Sequence, residues 1–544
     1  MPDLEHTYLD HDLALLHAIA AQAGVELAAP NARAAAAELA AVLRQSEAVE
    51  ILLARVLSDE TRLALHTLQQ AGGQFAVAPF VRRFGDLRPL GSAALVREHP
   101  WNAPGNATEA LYFNGLIGRG FMETDTGPQE FFFIPSDLLP NLPPAPSQPV
   151  PSAAATAPPS AEPVDASLAT SALVDDSVTV LAAIQRQPGQ APTPETVASH
   201  LRLPALNFLL TLLNDLGLTI AEFRLNRDRA RVYLQGARAE QLRALANAWR
   251  DSRTCNDLWC VPTLRPQPAG WANDPVAARA HILRLCADLP PGQWRTLDSF
   301  VAFVREHHPD FQRPAGDYDS WYIRDAVSSD YLHGFEHWEQ VDGALVRYLI
   351  TGPMHWLGLT DISPAAFRLT ALFPAFMGQA EWRILDKPKP LTLHPDGLLV
   401  VPRSANRYDR FQAARIGEWL APKEKDTYAY LITGGSLQAA LAQGITARHI
   451  VAFLRRVCAA PLPQMVIEAV ERWGRNGVEV RAATTLVLRV KDRPLLDFLR
   501  HSSKTGPHLG ESLGDLAVEV KNWDKLQDGL MELGLVAEVK SGNP

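Results

Sequence analysis

Residues 391–402 read LTLHPDGLLVVP, and the two apolar runs on either side of His394-Pro395-Asp396-Gly397 decide the local fold. Leu391 and Leu393 precede this tetrad, and Leu398, Leu399, Val400 and Val401 follow it. A Pro-Asp-Gly turn between such runs predicts two short strands joined tightly. Beyond it come ITGGSLQAAL at 432–441 and LPQMVIEAVERWG at 462–474, both helical in period, so Leu391 to Gly474 reads as one strand-and-helix module. The segments upstream read as shorter helix-rich units, none with a complete catalytic set, which points to binding rather than chemistry.

Working outward, 544 residues are too many for one core and imply roughly three or four units. Apolar residues make up 47% and charged residues 20%, as in ordinary soluble proteins, while 42 prolines imply linkers and short connections. No window approaches the roughly 18 apolar residues of a membrane span, and the acidic start MPDLEHTYLDHD is unlike a secretory signal. The expectation is a cytoplasmic protein with no membrane partner. The four cysteines (Cys255, Cys260, Cys286, Cys458) include no CxxC pair, so they read as plain thiols; a metal site at Cys255 and Cys260 would need His281 or Cys286 to fold back. A net charge of -9 argues against a surface wrapped in nucleic acid. The charge is uneven: residues 366–544 hold 24 Lys+Arg against 19 Asp+Glu, and residues 1–365 hold 27 against 41. A mildly basic C-terminal module follows an acidic array.

Residues 1–57 read as alanine-rich amphipathic helices that cap the next unit. In residues 58–139, Ser58 with Asp59 and Glu60 is a helix start, two further helices follow, and Phe121-Met122-Glu123 and Phe131-Phe132-Phe133 flank Asp125-Thr126-Gly127-Pro128 as a hairpin. Three helices and a hairpin is the winged-helix arrangement, whose third helix can enter the DNA major groove. Here that helix, NATEALYFNGLIGRG, has Arg119 as its one cation, poor equipment for base readout. Residues 140–170, with nine prolines from Pro140 to Pro163, read as a disordered linker. Residues 171–270 repeat the pattern, with TIAEF and RVYLQ as paired strands, and residues 271–366 repeat it again. In the third unit Trp294, Trp321, Trp338 and Trp356 are either base-stacking groups or, more in keeping with small units, core. The fold class expected is mainly α with α+β: winged-helix-like units, then an α/β domain over 367–544.

Three motif classes bear on chemistry. The glycine-lysine-serine/threonine loop that nucleotide hydrolysis needs is missing; TGGSLQAAL at Thr433 and SSKTGPHLG at Ser502 lack its spacing. His333-Gly334-Phe335-Glu336-His337 matches the H-x-x-E-H zinc-peptidase pattern, with Glu418 as a third ligand, although Gly334 weakens the helix the motif needs. No GxSxG elbow and no Cys/His pair appears in recognisable context, and Asn106-Ala107-Thr108 reads as a helix cap rather than a glycosylation site. The polar set with most content is basic: Arg403, Arg407, Arg410 and Arg415 around ANRYDRFQAARIGEWL, and Arg448, Arg455 and Arg456 on ITARHIVAFLRRVC. Such residues either grip phosphates or form a solvated face paired with Glu418, Glu424 and Asp426. VEVRAATTLVLRV after Gly477 reads as a further hairpin.

LTLHPDGLLVVP, TYAYLITGGSLQAALAQGITARHIVAFLRR, LPQMVIEAVERWGRNG and NWDKLQDGLMELGLVAEV together resemble the helicase-associated N-terminal domain of XPB-type DNA-repair helicases, over residues 385–540. The resemblance implies a small α/β domain that engages damaged DNA and docks a partner subunit. Winged-helix units ahead of such a domain, with no motor, also resemble the non-ATPase partner of that helicase in the transcription-repair complex. The expectation is a non-enzymatic protein without cofactor that binds DNA, a helicase partner, or both. A protein scaffold without nucleic-acid affinity is the alternative, and a zinc hydrolase at His333, Glu336 and His337 is a third reading.

Overall fold

The computed structural model describes all residues except 125–126, 147–151, 161, 269, 314–315, 425, 460, 480–484 and 539–544. Four helices open the chain: α1 (Leu4–Tyr8), α2 (Leu13–Gln22), α3 (Ala32–Leu43) and α4 (Ser46–Val56). Ser58 then caps α5 (Asp59–Gln70) by accepting from the Thr61 amide at 3.2 Å, with Asp59 and Glu60 at the positive helix end. β1 (Gln74–Ala76), α6 (Val77–Phe84), α7 (Ser92–Glu98), α8 (Ala107–Phe113), β2 (Gly118–Thr124) and β3 (Gly127–Phe133) follow, with sheet order β1-β3-β2. The expected hairpin is present, Gly120 facing Phe131 and Phe121 facing Glu130; its loop residues 125 and 126 lie outside the described residues. One apolar core runs from Leu4 to Leu142, so α1–α4 and the helix-and-hairpin unit fold as one body. Gly115 marks how closely they meet. Its φ is +72°, a Cβ there would lie 2.8 Å from the Tyr8 hydroxyl, and that hydroxyl donates to the Gly115 carbonyl at 2.9 Å.

The proline-rich segment differs from a free tether. The Ala157 carbonyl accepts from Thr296 N at 2.9 Å, Ser167 exchanges backbone bonds of 2.8 and 3.1 Å with Ile362, and Asp361 accepts from Ala169 N at 2.7 Å. An extended proline-rich chain has no internal hydrogen bonds, so its backbone groups are available to sheet edges. Residues 147–151 and 161 of this segment lie outside the described residues.

Next come α9 (Ala172–Arg186), α10 (Pro194–Val197), α11 (Leu206–Asp215), β4 (Thr219–Ile220), β5 (Arg224–Leu225), α12 (Arg227–Gln235) and α13 (Arg238–Asp251). RVYLQ, expected as a strand, lies within α12, and the short partner of β4 is Arg224–Leu225 instead. The cause is local: the Asn226 side chain accepts from Arg229 N and Asp228 sits in the first turn, so a cap outweighs the β-branched and aromatic residues.

β6 (Leu264–Pro266), α14 (Pro275–Ala287), β7 (Arg295–Thr296), α15 (Leu297–His307), β8 (Ile323–Asp325), α16 (Ala344–Thr351), α17 (Pro353–Trp356), β9 (Thr360–Ile362), β10 (Ala366–Leu369) and α18 (Leu372–Phe376) complete the array. The sheet order β7-β10-β9 repeats β1-β3-β2: the strand before the second helix pairs with the last strand of each unit. Trp338 is fully buried and Trp321 nearly so, Trp356 packs on Phe208 with ring centroids 5.3 Å apart, and Arg368 covers Trp294 at 4.8 Å. These tryptophans serve packing.

The opening stretch forms β11 (Thr392–Leu393) and β12 (Leu398–Pro402), with Leu393 opposite Leu399. α19 (Arg407–Ile416), β13 (Glu418–Leu420) and β14 (Thr427–Leu431) close an antiparallel sheet of order β11-β12-β14-β13. Along β12, Leu399 and Val401 are buried and their neighbours half-buried, the alternation of a one-sided sheet. The chain forms two compact units: Met1–Ile432 with Val457–Ala460 make one, and Thr433–Arg456 with Pro461–Pro544 the other.

The second unit contains α20 (Gly434–Ala442), α21 (Ala447–Val457), α22 (Gln464–Asn476), β15 (Leu486–Arg489), α23 (Arg493–His501), β16 (Leu509–Gly514), β17 (Ala517–Val520) and α24 (Trp523–Glu532). Its sheet order is β15-β17-β16, over a core that includes Leu496, Leu499, Val518, Leu526 and Leu530. β15 pairs with β17; the hairpin expected in VEVRAATTLVLRV falls on residues 480–484, which lie outside the described residues. Thr433 and Ser436 form a reciprocal capping box at α20, so TGGS is a helix start.

Candidate functional site

The seven arginines singled out in the sequence fall in two places. Asn406 caps α19 by accepting from Asp409 N at 3.1 Å, and the three-residue spacing puts Arg407 and Arg410 on one helix face. That face meets α9. Arg410 Nη1 donates to the Asp175 carbonyl at 2.7 Å, Nη2 bonds the Thr179 hydroxyl, and the guanidinium lies 3.3 Å from the Tyr428 ring centre. Arg407 grips Asp386 with two bonds of 2.8 and 2.6 Å. Arg403 Nε donates to Asp175 Oδ2 at 2.7 Å, while Arg238 Nη2 reaches Asp175 Oδ1 at 2.8 Å. Arg415 bonds Gln412 at 2.9 Å and lies against the Phe411 ring. Arg407 and Arg410 are buried, 4% and 2% exposed, so a phosphate can reach neither without opening the packing around α19. Buried charges must be paired; here they fasten residues 171–251 to the sheet that begins at Thr392.

Two titratable groups lie in the same junction. His200 stacks between Tyr428 and Tyr430 and packs on Trp419, with ring centroids 4.9 to 5.9 Å away. Burial, and then the nearby Arg410 charge, push its imidazole down to about 4. Burial pushes the Asp176 carboxyl up to about 7, against the opposing amide bonds it accepts from Arg202 and Leu203 at 2.9 and 3.0 Å.

The other arginines share α21. Ile450, Val451 and Leu454 are buried and Arg448, Arg455 and Arg456 exposed, as the helical period of the sequence requires. Arg455 is 61% exposed and stands 3.7 Å from Glu471 on α22; Arg456 lies against the Phe453 ring. This is an outward basic face. Helices of the upstream units are otherwise equipped. α8 is almost wholly buried, with Thr108 and Glu109 at 0%, and Arg119 is held by Glu130 at 2.7 Å. α11 carries no cation, and Arg347 of α16 is shared by Asp298 and Glu339.

The zinc motif does not take the form its chemistry needs. Two histidines one α-helical turn apart would share a face, but Phe335–His337 is a single 3-10 turn behind Gly334 at φ +83°. His337 Nδ1 is engaged by the His333 carbonyl. Among the described residues no three His, Cys, Asp or Glu side chains are placed to hold a metal ion, and the four cysteines are free thiols.

Sequence reasoning missed Asp175, Asp176, Arg238 and Asp386. The Asp-Asp pair inside ALVDDSVTVLAAI was a usable signal, because carboxylates within an apolar helix need buried partners.

A sequence-family profile described as the helicase conserved C-terminal domain matches residues 391–513. The chain therefore carries a helicase-related segment, which holds the four-stranded sheet, α19 and α21. No curated protein matches the chain. Among the described residues no helix is long and apolar enough to cross a membrane.

Proposed function

We propose that this is a non-catalytic, helicase-associated protein that binds the DNA backbone and docks a helicase or another repair or transcription protein. The observation that carries the reading is that the helicase-related segment, 391–513, contains the outward arginines of α21. Phosphate contacts of this kind position a protein without reading sequence. The units at 58–139, 171–270 and 271–366 are, on this reading, winged-helix units turned to packing and protein docking. Their order of helices and strands supports it, as does the burial of α8. The resemblance to the XPB N-terminal domain and the missing phosphate loop support the absence of a motor.

The second reading, a scaffold without nucleic-acid affinity, is favoured by the internal partners of Arg403, Arg407 and Arg410. Fluorescence anisotropy with duplex, forked and single-stranded DNA at two salt concentrations separates the two. For duplex, log K falls by about 0.9 per neutralised phosphate and tenfold in salt, so R455A/R456A is expected to lower the slope by about 2. Negligible binding of every DNA at low salt selects the scaffold, and ATP hydrolysis that copurifies through every column refutes the non-catalytic assignment.

A further inference from the structure

A cleft of about 450 Å³ opens in the first unit, between the start of α9, residues 385–389 and the end of β12. Four cations line it: Arg238, Lys387, Lys389 and Arg403. Two carboxylates also line it, Asp386 and Asp426. Asp386 gives both oxygens to Arg407 and stands 3.8 Å from Arg238 Nε, and Asp426, 74% exposed, stands 3.7 Å from Arg202. Behind the wall a single carboxylate, Asp175, is divided between Arg238 and Arg403. Lys387 and Lys389 are exposed, and among the described residues neither has an ion-pair partner.

The cleft thus holds more positive than negative charge; Arg238 is committed to Asp175, Ser171 and the Arg403 carbonyl, which leaves Lys387, Lys389 and the quarter-exposed Arg403 to meet a ligand. Its rim adds the hydroxyls of Ser171 and Ser404. The Arg403 guanidinium, two mobile ammonium groups and hydroxyls lining one space suit an anion with several acceptor oxygens. We infer that this cleft binds a phosphate group, carried either by a nucleic-acid backbone or by a free phosphate compound. The site stands on its own charges and does not depend on the α21 face, so the two are tested apart.

The variant K387A/K389A removes two exposed cations without touching the buried network, and K387R/K389R keeps the charge. Unchanged circular dichroism establishes that both fold. Inorganic pyrophosphate in titration calorimetry probes the free source, and a duplex in anisotropy probes the backbone. The expected result is that K387A/K389A weakens at least one probe about tenfold or lowers the duplex salt slope by about 2, while K387R/K389R restores binding. A response to pyrophosphate assigns a free phosphate compound; a response to duplex alone assigns the backbone. If neither probe distinguishes K387A/K389A from wild type, the cleft is not a phosphate site. A loss of duplex binding in R455A/R456A under that outcome leaves the α21 reading standing.

Discussion

Asp175→Asn tests whether the buried ionic junction holds the first unit together. The side chain is 1% exposed and accepts from Arg238 at 2.8 and 3.1 Å and from Arg403 at 2.7 Å. Asparagine keeps the volume, removes the charge and turns an amide N–H toward a guanidinium N–H. Removing one partner of a buried pair costs about 3–5 kcal/mol, since the other charge is left without compensation. Arg238 carries most of this cost, at the lower end of the range because Asp386 Oδ1 remains 3.8 Å from its Nε. Arg403, whose side chain is a quarter exposed, is screened by water and adds less. About 3 kcal/mol is therefore expected, seen as a thermal midpoint several degrees lower in calorimetry. D426N, which alters a 74% exposed carboxylate, is the control and should stay close to wild type. Adding R238M to D175N removes the stranded guanidinium, so the double variant should be less damaged than the two single losses summed. A D175N midpoint indistinguishable from wild type, or strict additivity in the double variant, refutes the reasoning.

Two further outcomes follow from the same geometry. His200 is pushed down to about 4 from 6.5, so its contribution is present above pH 6.5 and lost as pH falls through 4; Asp176, pushed up to about 7 from 3.8, contributes below pH 3.8 and loses it as pH rises through 7. Between these limits the two oppose each other, and H200F exposes the difference: relative to wild type it should gain about 2 kcal/mol between about pH 7 and 4.5, read from urea midpoints. A gap independent of pH counts against the buried imidazole. G115A forces a Cβ to 2.8 Å from the Tyr8 hydroxyl at φ +72° and should cost about 1–3 kcal/mol; a neutral result in thermal denaturation would mean that α1 does not pack on the unit beginning at Ser58.

What the sequence made legible was local. The hairpin at 391–402 could be read because its turn tetrad lies between apolar residues, and Leu393 does face Leu399. The caps at Ser58 and Asn106 could be read because a side chain needs only an amide three residues on. The seven arginines could be read as a basic set, but which of them face outward could not. RVYLQ went astray when residue type was weighed above the Asn226 cap. The fate of Arg407 and Arg410 was not readable at all. Arg410 finds its partner in Asp175, 235 positions away, and no local period records that distance.

This separates two arginine sets that look alike as text. Arg410 lies between α9 and Tyr428 of β14, and Arg407 is held by Asp386 and the Gly236 carbonyl, so both guanidinium groups are enclosed. α21 leaves Arg448, Arg455 and Arg456 in solvent. Replacing an enclosed guanidinium acts first on stability, and any loss of ligand binding follows from unfolding. Replacing an exposed one acts on ionic contacts with little change in midpoint. Arg403 is the test of that distinction, since it belongs to both: 25% exposed, tied to Asp175 from one side and lining the cleft from the other. R403Q is therefore expected to lower the thermal midpoint less than D175N and to weaken the phosphate probe as well. A variant that changed only one of these would place Arg403 wholly in the junction or wholly in the cleft.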